Sequence, residues 1–183
     1  MKTEYEIRVL EINHDTIIKK LEELGAKKVF EALQERIVYD FTPVNPNSWI
    51  RLRTNGIKTT LTIKELKSKT IDGTIETEIE VSSFKTTDEL MNKLGYKART
   101  YQQNYRVQYN LNGVEIDLDR WPLIPEYMEI EGSSIEEVNK VLDMLDVDKN
   151  KVTELDVASI YEHYGYEKIN SRKELLLEED KYV

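Results

Sequence analysis

Cysteine is missing from this sequence of 183 residues, and histidine occurs only twice, at His14 and His163. Without cysteine the chain can form neither a disulfide nor a thiolate metal site. Neither histidine has a second one at metal-ligand spacing, so we expect both to be surface or capping residues. No apolar run is long enough for a membrane span or a signal peptide. These absences predict a cytoplasmic protein that does not associate with a membrane.

Acidic residues outnumber basic ones, 35 to 26, which gives a net charge of -9. This excess argues against a general nucleic-acid binder, although a local basic cluster could still hold an anion. Charged residues make up 33% of the chain and hydrophobic residues 39%, yet apolar positions recur periodically throughout, which is typical of a folded protein. The length and the even composition predict a single domain over residues 1–183.

Turn and helix signals predict a protein rich in antiparallel sheet. Asn55-Gly56, Asp72-Gly73 and Asn112-Gly113 are flanked by alternating polar and apolar residues, which favours β-hairpins. The segment "EYEIRV", a helix and "LGAKKVFEALQ" are echoed by "ETEIEV", a helix and "LGYKARTYQQ", which predicts two related strand–helix–strand units. Apolar spacing and end signals predict four helices, at 15–24, 87–94, 134–145 and 154–164.

Seven predicted strands alternate charged or polar side chains with apolar ones, so each has one ionic face. A single strand of this kind fits a sheet with one wet face, but here bases and acids are segregated by strand, which is typical of a binding site. If the apolar faces pack under the helices, the sheet must curl into a barrel with a polar bore. The ionic faces carry, in chain order, Glu4, Glu6 and Arg8; Arg51 and Arg53; Thr60, Thr62 and Lys64; Glu76, Glu78 and Glu80; Asn104, Arg106 and Gln108; Glu115, Asp117 and Asp119; and Glu129 and Glu131.

The charges on these faces restrict what can fill the bore. Two like charges about 4 Å apart repel by about 4 kcal/mol at an effective dielectric of 20, so water and counterions must enter. Carboxylates suit hard divalent cations such as Mg²⁺ or Mn²⁺, whereas arginine forks and a lysine charge suit phosphate oxygens. The pattern therefore predicts a polyphosphate that a metal ion bridges to the acids.

These residues resemble the signature of the CYTH superfamily of triphosphate tunnel metalloenzymes, which includes class IV adenylyl cyclases, thiamine triphosphatases and inorganic triphosphatases. The resemblance covers most of the chain, with Arg8 and Asn104 standing where the family pattern has lysines. The matched segments are E-x-E-x-K (Glu4, Glu6, Arg8), the paired arginines (Arg51, Arg53), L-T-x-K (Lys64), the mid-chain acidic strand (Glu76, Glu78, Glu80), K-x-R-x-x-Y (Arg106, Tyr109) and L-D…E-I-E (Asp119, Glu129, Glu131).

The resemblance implies an α+β fold, with an eight-stranded antiparallel β-barrel that forms the triphosphate tunnel and helices packed outside. It implies metal-dependent hydrolysis of an inorganic or small organic triphosphate, with Asp119 or Glu78 orienting the attacking water. Glu115 and Asp117, which share the face of Asp119, are expected to pair with basic neighbours. The implied roles are substrate binding for Arg8, Arg51, Arg53, Lys64 and Arg106; binding of Mg²⁺ or Mn²⁺ for Glu4, Glu6, Glu76, Glu78, Asp119, Glu129 and Glu131; and catalysis for Arg8, Glu78 and Asp119.

Two alternatives stay open at this point. A class IV adenylyl cyclase would convert ATP to cyclic AMP and pyrophosphate, with Tyr101, Tyr105 or Trp49 stacking on adenine. A binding module with weak or no turnover is favoured by Arg8 and Asn104, because arginine keeps its charge but cannot exchange a proton at neutral pH. The expected partner is a small-molecule triphosphate or nucleotide and no nucleic acid, and a homodimer is compatible with the sequence.

Overall fold

The computed structural model describes residues 2–67 and 74–177, apart from the side chains of residues 2–4, 74 and 170. This part of the chain contains ten β strands and four α helices. The helices are α1 (His14–Glu23), α2 (Phe84–Lys93), α3 (Ile135–Leu145) and α4 (Val157–His163). The strands are β1 (Lys2–Val9), β2 (Lys27–Asp40), β3 (Ser48–Thr54), β4 (Thr59–Leu66), β5 (Thr74–Glu80), β6 (Ala98–Leu111), β7 (Val114–Arg120), β8 (Tyr127–Gly132), β9 (Val152–Thr153) and β10 (Glu174–Leu175).

All the strands belong to one sheet, in the order β10-β6-β2-β3-β4-β5-β1-β8-β7, with β9 paired to β1 and a further pairing between β6 and β7. The long strands pair antiparallel, and the short β10 runs parallel to β6. The predicted α+β class is therefore confirmed. The predicted number of eight strands is not, because the two-residue strands β9 and β10 add to the eight long ones.

Tight turns join the strands where the sequence predicts them. Asn112 and Gly113 connect β6 to β7 with φ angles of 55° and 95°, the left-handed geometry of a type I′ hairpin turn. The Asn55-Gly56 turn lies between β3 and β4, with a φ of 81° at Gly56. The third predicted turn, at Asp72-Gly73, lies outside the described residues.

Side-chain caps define where the helices begin. The side chains of Asn13, Ser83, Ser134 and Asp156 each accept a hydrogen bond from a backbone N–H in the first turn of α1, α2, α3 and α4. Because Ser83 caps α2, that helix begins before the predicted residue 87, and because Asp156 caps α4, that helix begins after the predicted residue 154. The four predicted helices are thus all present, with shifted ends.

α1, α2 and α3 pack on one face of the sheet, whereas α4 packs against Tyr127 and lines the ionic side. α1 and α3 cover β1, β7 and β8, where Leu21 and Leu145 pack in one apolar cluster with Ile7 and Ile116. α2 covers β3 through Met91. Since alternate residues of a strand point to opposite faces, the ionic residues next to these apolar ones lie on the side away from α1, α2 and α3.

The two histidines lie in different surroundings. His163 is exposed in the last turn of α4, as predicted. His14 is only 4% exposed, with Nε2 3.7 Å from Glu126 and Nδ1 3.4 Å from Arg120, so the prediction of a surface position is wrong. Burial, the largest effect on this imidazole, lowers the pKa of His14. Among the described helices, none is both long and apolar enough to cross a membrane.

Candidate functional site: a charged cavity

A row of acids crosses the neighbouring strands β1, β8 and β7. Glu6 lies directly opposite Glu131, and Glu131 lies directly opposite Glu115. Residues that face each other across antiparallel strands have Cβ atoms about 5 Å apart on the same side of the sheet. The register therefore brings three carboxylates from distant parts of the sequence together, on the side away from α1 and α3.

A second group of ionic residues crosses β3, β4 and β5. Arg51 lies opposite Thr62, and Thr62 lies opposite Glu78. One step along the strands, Lys64 lies opposite Glu76. The polar threonine in the middle strand leaves room for the long arginine and glutamate side chains to approach each other over it.

These groups line a cavity of about 470 Å³, which we call the charged cavity. A second cavity of about 240 Å³, which we call the basic chamber, shares six residues with it. The charged residues of the charged cavity are Glu6, Arg51, Arg53, Lys58, Lys64, Glu76, Glu78, Arg106, Glu115, Glu129 and Glu131. The residues shared by both cavities are Glu6, Arg51, Arg53, Lys64, Arg106 and Glu129, and the basic chamber adds Arg8, Arg36, Arg99, Trp49, Trp121, Tyr127 and Asp156, among others.

The two cavities bring together nearly all the residues that the sequence singles out. Every predicted site residue whose side chain is described lines at least one of them, except Asp119. Glu4 belongs to β1, two residues before Glu6, but its side chain lies outside the described part of the chain. The residues placed around the charged cavity include Glu6, Arg53 and Glu131, which come from three separate strands.

Arg8 is held between two carboxylates. Its Nη2 lies 2.9 Å from Glu6 and 2.7 Å from Glu129, while Nη1 donates to the backbone oxygen of Leu155 over 2.9 Å. Burial alone would lower the pKa of Arg8, but Glu129 and Glu6 outweigh it and raise the pKa well above its ordinary value. Burial alone would raise the pKa of Glu129, but its basic neighbours, Arg8 most strongly, lower it to about 2. Both groups therefore stay ionised at neutral pH.

Arg106 is the centre of a buried ionic network. Its guanidinium bonds to Asp117 and, over 2.8 Å and 2.5 Å, to the two oxygens of Asp119. Asp119 accepts a third hydrogen bond from Asn104 over 2.8 Å, and its side chain is fully buried. Asp119 thus lies behind the cavity wall, where it holds Arg106 in place. The expected pairing of Asp117 with a basic neighbour is confirmed.

Arg51 and Lys64 share the carboxylate of Glu76. Arg51 Nη2 is 3.5 Å from Glu76 and 3.8 Å from Glu78, and Lys64 contacts Glu76 directly. The hydroxyl of Thr62 donates to Glu78 over 2.7 Å. Burial, the largest effect, would raise the pKa of Glu78, but the Thr62 hydrogen bond and the nearby arginines lower it. Glu78 is therefore a carboxylate at neutral pH.

Three basic lining residues are not predicted from the sequence, Lys58 in the charged cavity and Arg36 and Arg99 in the basic chamber, and Arg36 is the most buried of them. It lies directly opposite Arg53 across β2 and β3, and it is only 7% exposed. Its Nη2 donates to the amide oxygens of Asn104 and, over 3.2 Å, Gln34, and its guanidinium lies 4.5 Å from the ring centre of Trp121. The alternation of Gln34 and Arg36 along β2 was the available signal, but the apolar Val38 follows on the same face and breaks the pattern.

Neither Arg36 nor Arg53 forms an ion pair with a carboxylate in the part of the chain that the structure describes. Burial, and after it the charge of Arg53, lowers the pKa of Arg36 to about 9. The charge of Arg51, and after it burial, lowers the pKa of Arg53 to about 10. Both arginines remain cationic at neutral pH. Asp119 near Arg36, and Glu78 and Asp117 near Arg53, offset their repulsion only in part, since the pKa of each arginine is still lowered.

The acids around the cavity have the chemistry of a site for a hard divalent cation. Glu6, Glu115 and Glu131 offer only oxygen ligands, which suit Mg²⁺ or Mn²⁺. Within the described residues, no three acids or histidines converge on a single point as metal ligands, and Glu6 and Glu129 both contact Arg8. The donor set therefore fits the metal, and the carboxylates would have to regroup to hold it.

Of the three aromatic residues considered for base stacking, only Trp49 lines a cavity. The hydroxyl of Tyr101 bonds to Glu35, and the hydroxyl of Tyr105 bonds to Glu31 over 2.5 Å. Both tyrosines pack against apolar clusters rather than against the cavities.

Comparison with known proteins gives a family and a fold. The family model described as the CYTH domain matches residues 2–155, and no curated protein matches the chain. The PH1012 protein from Pyrococcus horikoshii OT3 is 26% identical with a TM-score of 0.71, over 87% of this chain and 99% of that one. A candidate adenylate cyclase from Vibrio parahaemolyticus is 14% identical with a TM-score of 0.74, over 88% and 98%. A candidate adenylyl cyclase from Hippeastrum, described as having a dominant triphosphatase activity, is 16% identical with a TM-score of 0.61, over 90% and 96%.

Proposed function

Because the chain belongs to the CYTH domain family, we propose that it hydrolyses an inorganic or small organic triphosphate in the charged cavity with the help of a divalent metal ion. The observation that carries this proposal is the lining of one cavity by bases of β3, β4 and β6 and by acids of β1, β5 and β8. Segregated bases and acids suit a ligand that has anionic oxygens on one side and cations on the other.

We further propose that the eight long strands form the family's triphosphate tunnel. The pairing of β6 with β7 supports this proposal, because it links the strands at the two ends of the path β6-β2-β3-β4-β5-β1-β8-β7. The charged cavity would then be part of the bore.

In this proposal Arg8, Arg51, Arg53, Lys64 and Arg106 bind phosphate oxygens. Arginine forks can each bind two oxygens of a phosphate group, and the fixed orientation of the guanidinium reduces the entropy lost on binding. Asp119 and Asp117 would keep the fork of Arg106 oriented, so Asp119 is assigned as a positioning residue. The charge of these bases would stabilise the transferring phosphoryl group, as in other phosphoryl-transfer sites.

The charge balance of the cavity supports a role for a metal ion. Five bases and six acids line the charged cavity, so a polyanion that enters it meets a wall close to neutrality. Glu6, Glu129 and Glu131, with Glu4 by its position on β1 and with Glu76 and Glu78 on the neighbouring strand β5, would hold the metal. A divalent cation supplies positive charge to the phosphoryl oxygens. Glu78, an ionised carboxylate bonded to Thr62, is suited to orient the attacking water.

Cyclisation of ATP is the second candidate, and one observation favours it. Trp49 and Trp121 line the basic chamber, beside the residues proposed to bind phosphate. A nucleotide could place its base against an aromatic ring there while its phosphates reach the charged cavity. A module that binds a triphosphate without turnover would use the same residues.

A phosphate-release assay tests the proposed function. Purified protein with Mg²⁺ or Mn²⁺ should release phosphate from inorganic, thiamine or nucleoside triphosphate, and chelation of the metal should abolish the release. Arg53→Ala should lower the rate by about tenfold to a hundredfold, because a hydrogen bond to a charged group contributes about 1.5–3 kcal/mol. Arg172→Ala, at an exposed arginine outside both cavities, is the matched control and should leave the rate unchanged.

The products separate the candidate functions. If ATP yields cyclic AMP and pyrophosphate, the reaction is cyclisation and not hydrolysis. Tight binding of a triphosphate without any product would favour the binding module. If the protein neither binds nor converts any triphosphate with either metal, the proposal is wrong.

A further inference from the structure

Arg36 occupies an unusual position for a charged residue of a cavity wall. Its side chain is 7% exposed, it lines the basic chamber, and its Nε has no hydrogen-bond partner among the described residues. A buried cation without an ion-pair contact is costly, so such a group normally pairs with an acid or binds an anionic ligand.

The neighbours of Arg36 hold it in place, but none of them forms an ion pair with it in the described part of the chain, and Asp119, on the far side of Asn104, offsets its charge only in part. Asn104 and Gln34 accept hydrogen bonds through amide oxygens, which carry no net charge. The indole of Trp121 lies against the guanidinium, 4.5 Å away, and fixes its plane. The only charged residue directly opposite on the neighbouring strand β3 is Arg53, which is also positive.

Two cations on adjacent strands form a preorganised fork for an anion. The pair stands where the two cavities join, because Arg53 lines both of them and Arg36 lines the basic chamber. The contact with Asn104 also has a consequence for the sequence pattern, in which position 104 carries a lysine in the CYTH signature. Arg36 brings a positive charge from β2 to the place where the side chain of residue 104 ends.

We propose that Arg36 is a substrate-binding residue that acts with Arg53 to hold the phosphate group of the triphosphate nearest the basic chamber, in place of a lysine at position 104. This inference rests on the proposed function, since it assigns a further contact to the same ligand. Arg36 binds the phosphate through the guanidinium nitrogens that Asn104 and Gln34 leave unoccupied. The bound anion relieves the repulsion between Arg36 and Arg53.

The proposal makes two predictions of opposite sign for one substitution. Arg36→Met keeps most of the length of the side chain and its contact with Trp121, but removes the charge. It should weaken the binding of inorganic tripolyphosphate by about tenfold or more. It should leave the ligand-free protein at least as resistant to thermal unfolding as the wild type, because a buried like-charge pair has been removed.

Isothermal titration calorimetry with tripolyphosphate, in Mg²⁺ and separately in EDTA, measures the affinity, and thermal unfolding without ligand measures the stability. Arg36→Lys keeps the charge and should recover affinity to within about threefold of the wild type. Arg120→Met is the matched control, because Arg120 also lies over an aromatic ring, 6.0 Å from the centre of Tyr105, but lines neither cavity. It should leave the affinity unchanged.

The outcomes distinguish this inference from the function on which it rests. If the wild type binds no tripolyphosphate under either condition, the proposed function fails. If the wild type binds and Arg36→Met binds equally well, the role of Arg36 is refuted while the proposed function stands. If Arg36→Met does not fold, Arg36→Gln replaces it, because glutamine can keep a hydrogen bond to Asn104, and equal binding by that variant refutes the inference in the same way.

Discussion

A buried carboxylate near a phosphate site can position a base or bind a metal ion, and a substitution of Asp119 distinguishes these two roles. As a positioning residue Asp119 holds Arg106 through two hydrogen bonds and Asn104 through a third, with its side chain fully buried. Asp119→Asn keeps the shape of the side chain but removes its charge. The new NH₂ group would face the N–H donors of Arg106 or Asn104, which need an acceptor. Breaking a buried ion pair costs about 3–5 kcal/mol, and because Arg106 retains Asp117 we expect the lower end, about 3 kcal/mol.

Urea unfolding in EDTA measures this loss directly, because any contribution of a bound metal to stability is then removed. In a thermal scan the same loss corresponds to about 6–12 °C for a chain of this size. The exposed pair of Asp143 and Lys149 supplies the matched control, since Asp143→Asn removes the same charge from a surface ion pair and should hardly change the midpoint.

The opposite pattern would refute the reasoning. A metal ligand at position 119 would give a variant whose stability in EDTA falls by less than about 1 kcal/mol but whose activity requires much more metal. That result would return Asp119 to the metal-binding role that the sequence implies.

Two further predictions follow from the site. The folded-state pKa of Glu129 is lowered to about 2, so its stabilising effect is present above its ordinary pKa and is lost as the pH falls towards 2. Glu129→Gln should therefore flatten the decline of the free energy of unfolding over that pH range in acid unfolding experiments. An unchanged decline would contradict the assignment. Trp49→Ala should weaken the binding of nucleoside or thiamine triphosphates by calorimetry but leave inorganic triphosphate unaffected, because the indole lines the basic chamber; equal losses for all ligands would show a structural role instead.

Alternation along the strands predicted the faces of the site because the opposite faces are covered by helices. Ile7 and Ile116 pack against α1 and α3, and this direction sends Glu6 and Glu115 towards the cavity. A shift of the register by one residue would expose the apolar set, so the pattern specifies the face strongly. The segregation of bases from acids was likewise visible in the sequence before any contact was known.

Alternation along a strand does not predict whether a side chain on the ionic face lines the cavity or is buried behind its wall. Asp119 alternates in step with Glu115, which lines the charged cavity, yet it lies behind the wall because Arg106 and Asn104 on the adjacent strand β6 surround it. Arg36 was missed because a strand whose polar positions are interrupted by valine carries no clear ionic face. Strands of two residues, such as β9 and β10, carry no period at all, so the count of ten could not be predicted.

The ion pairs of Arg8 with Glu6 and Glu129 couple the binding of the metal ion to the binding of the phosphate anion. The guanidinium of Arg8 competes with a cation for the carboxylate oxygens, and the carboxylates compete with an anion for the N–H donors of Arg8. An anion that draws Arg8 away frees both acids, and a cation that draws the acids away frees Arg8. The metal ion and the phosphate anion would therefore each raise the affinity of the site for the other by the same factor, so that each binds more strongly when the other is present.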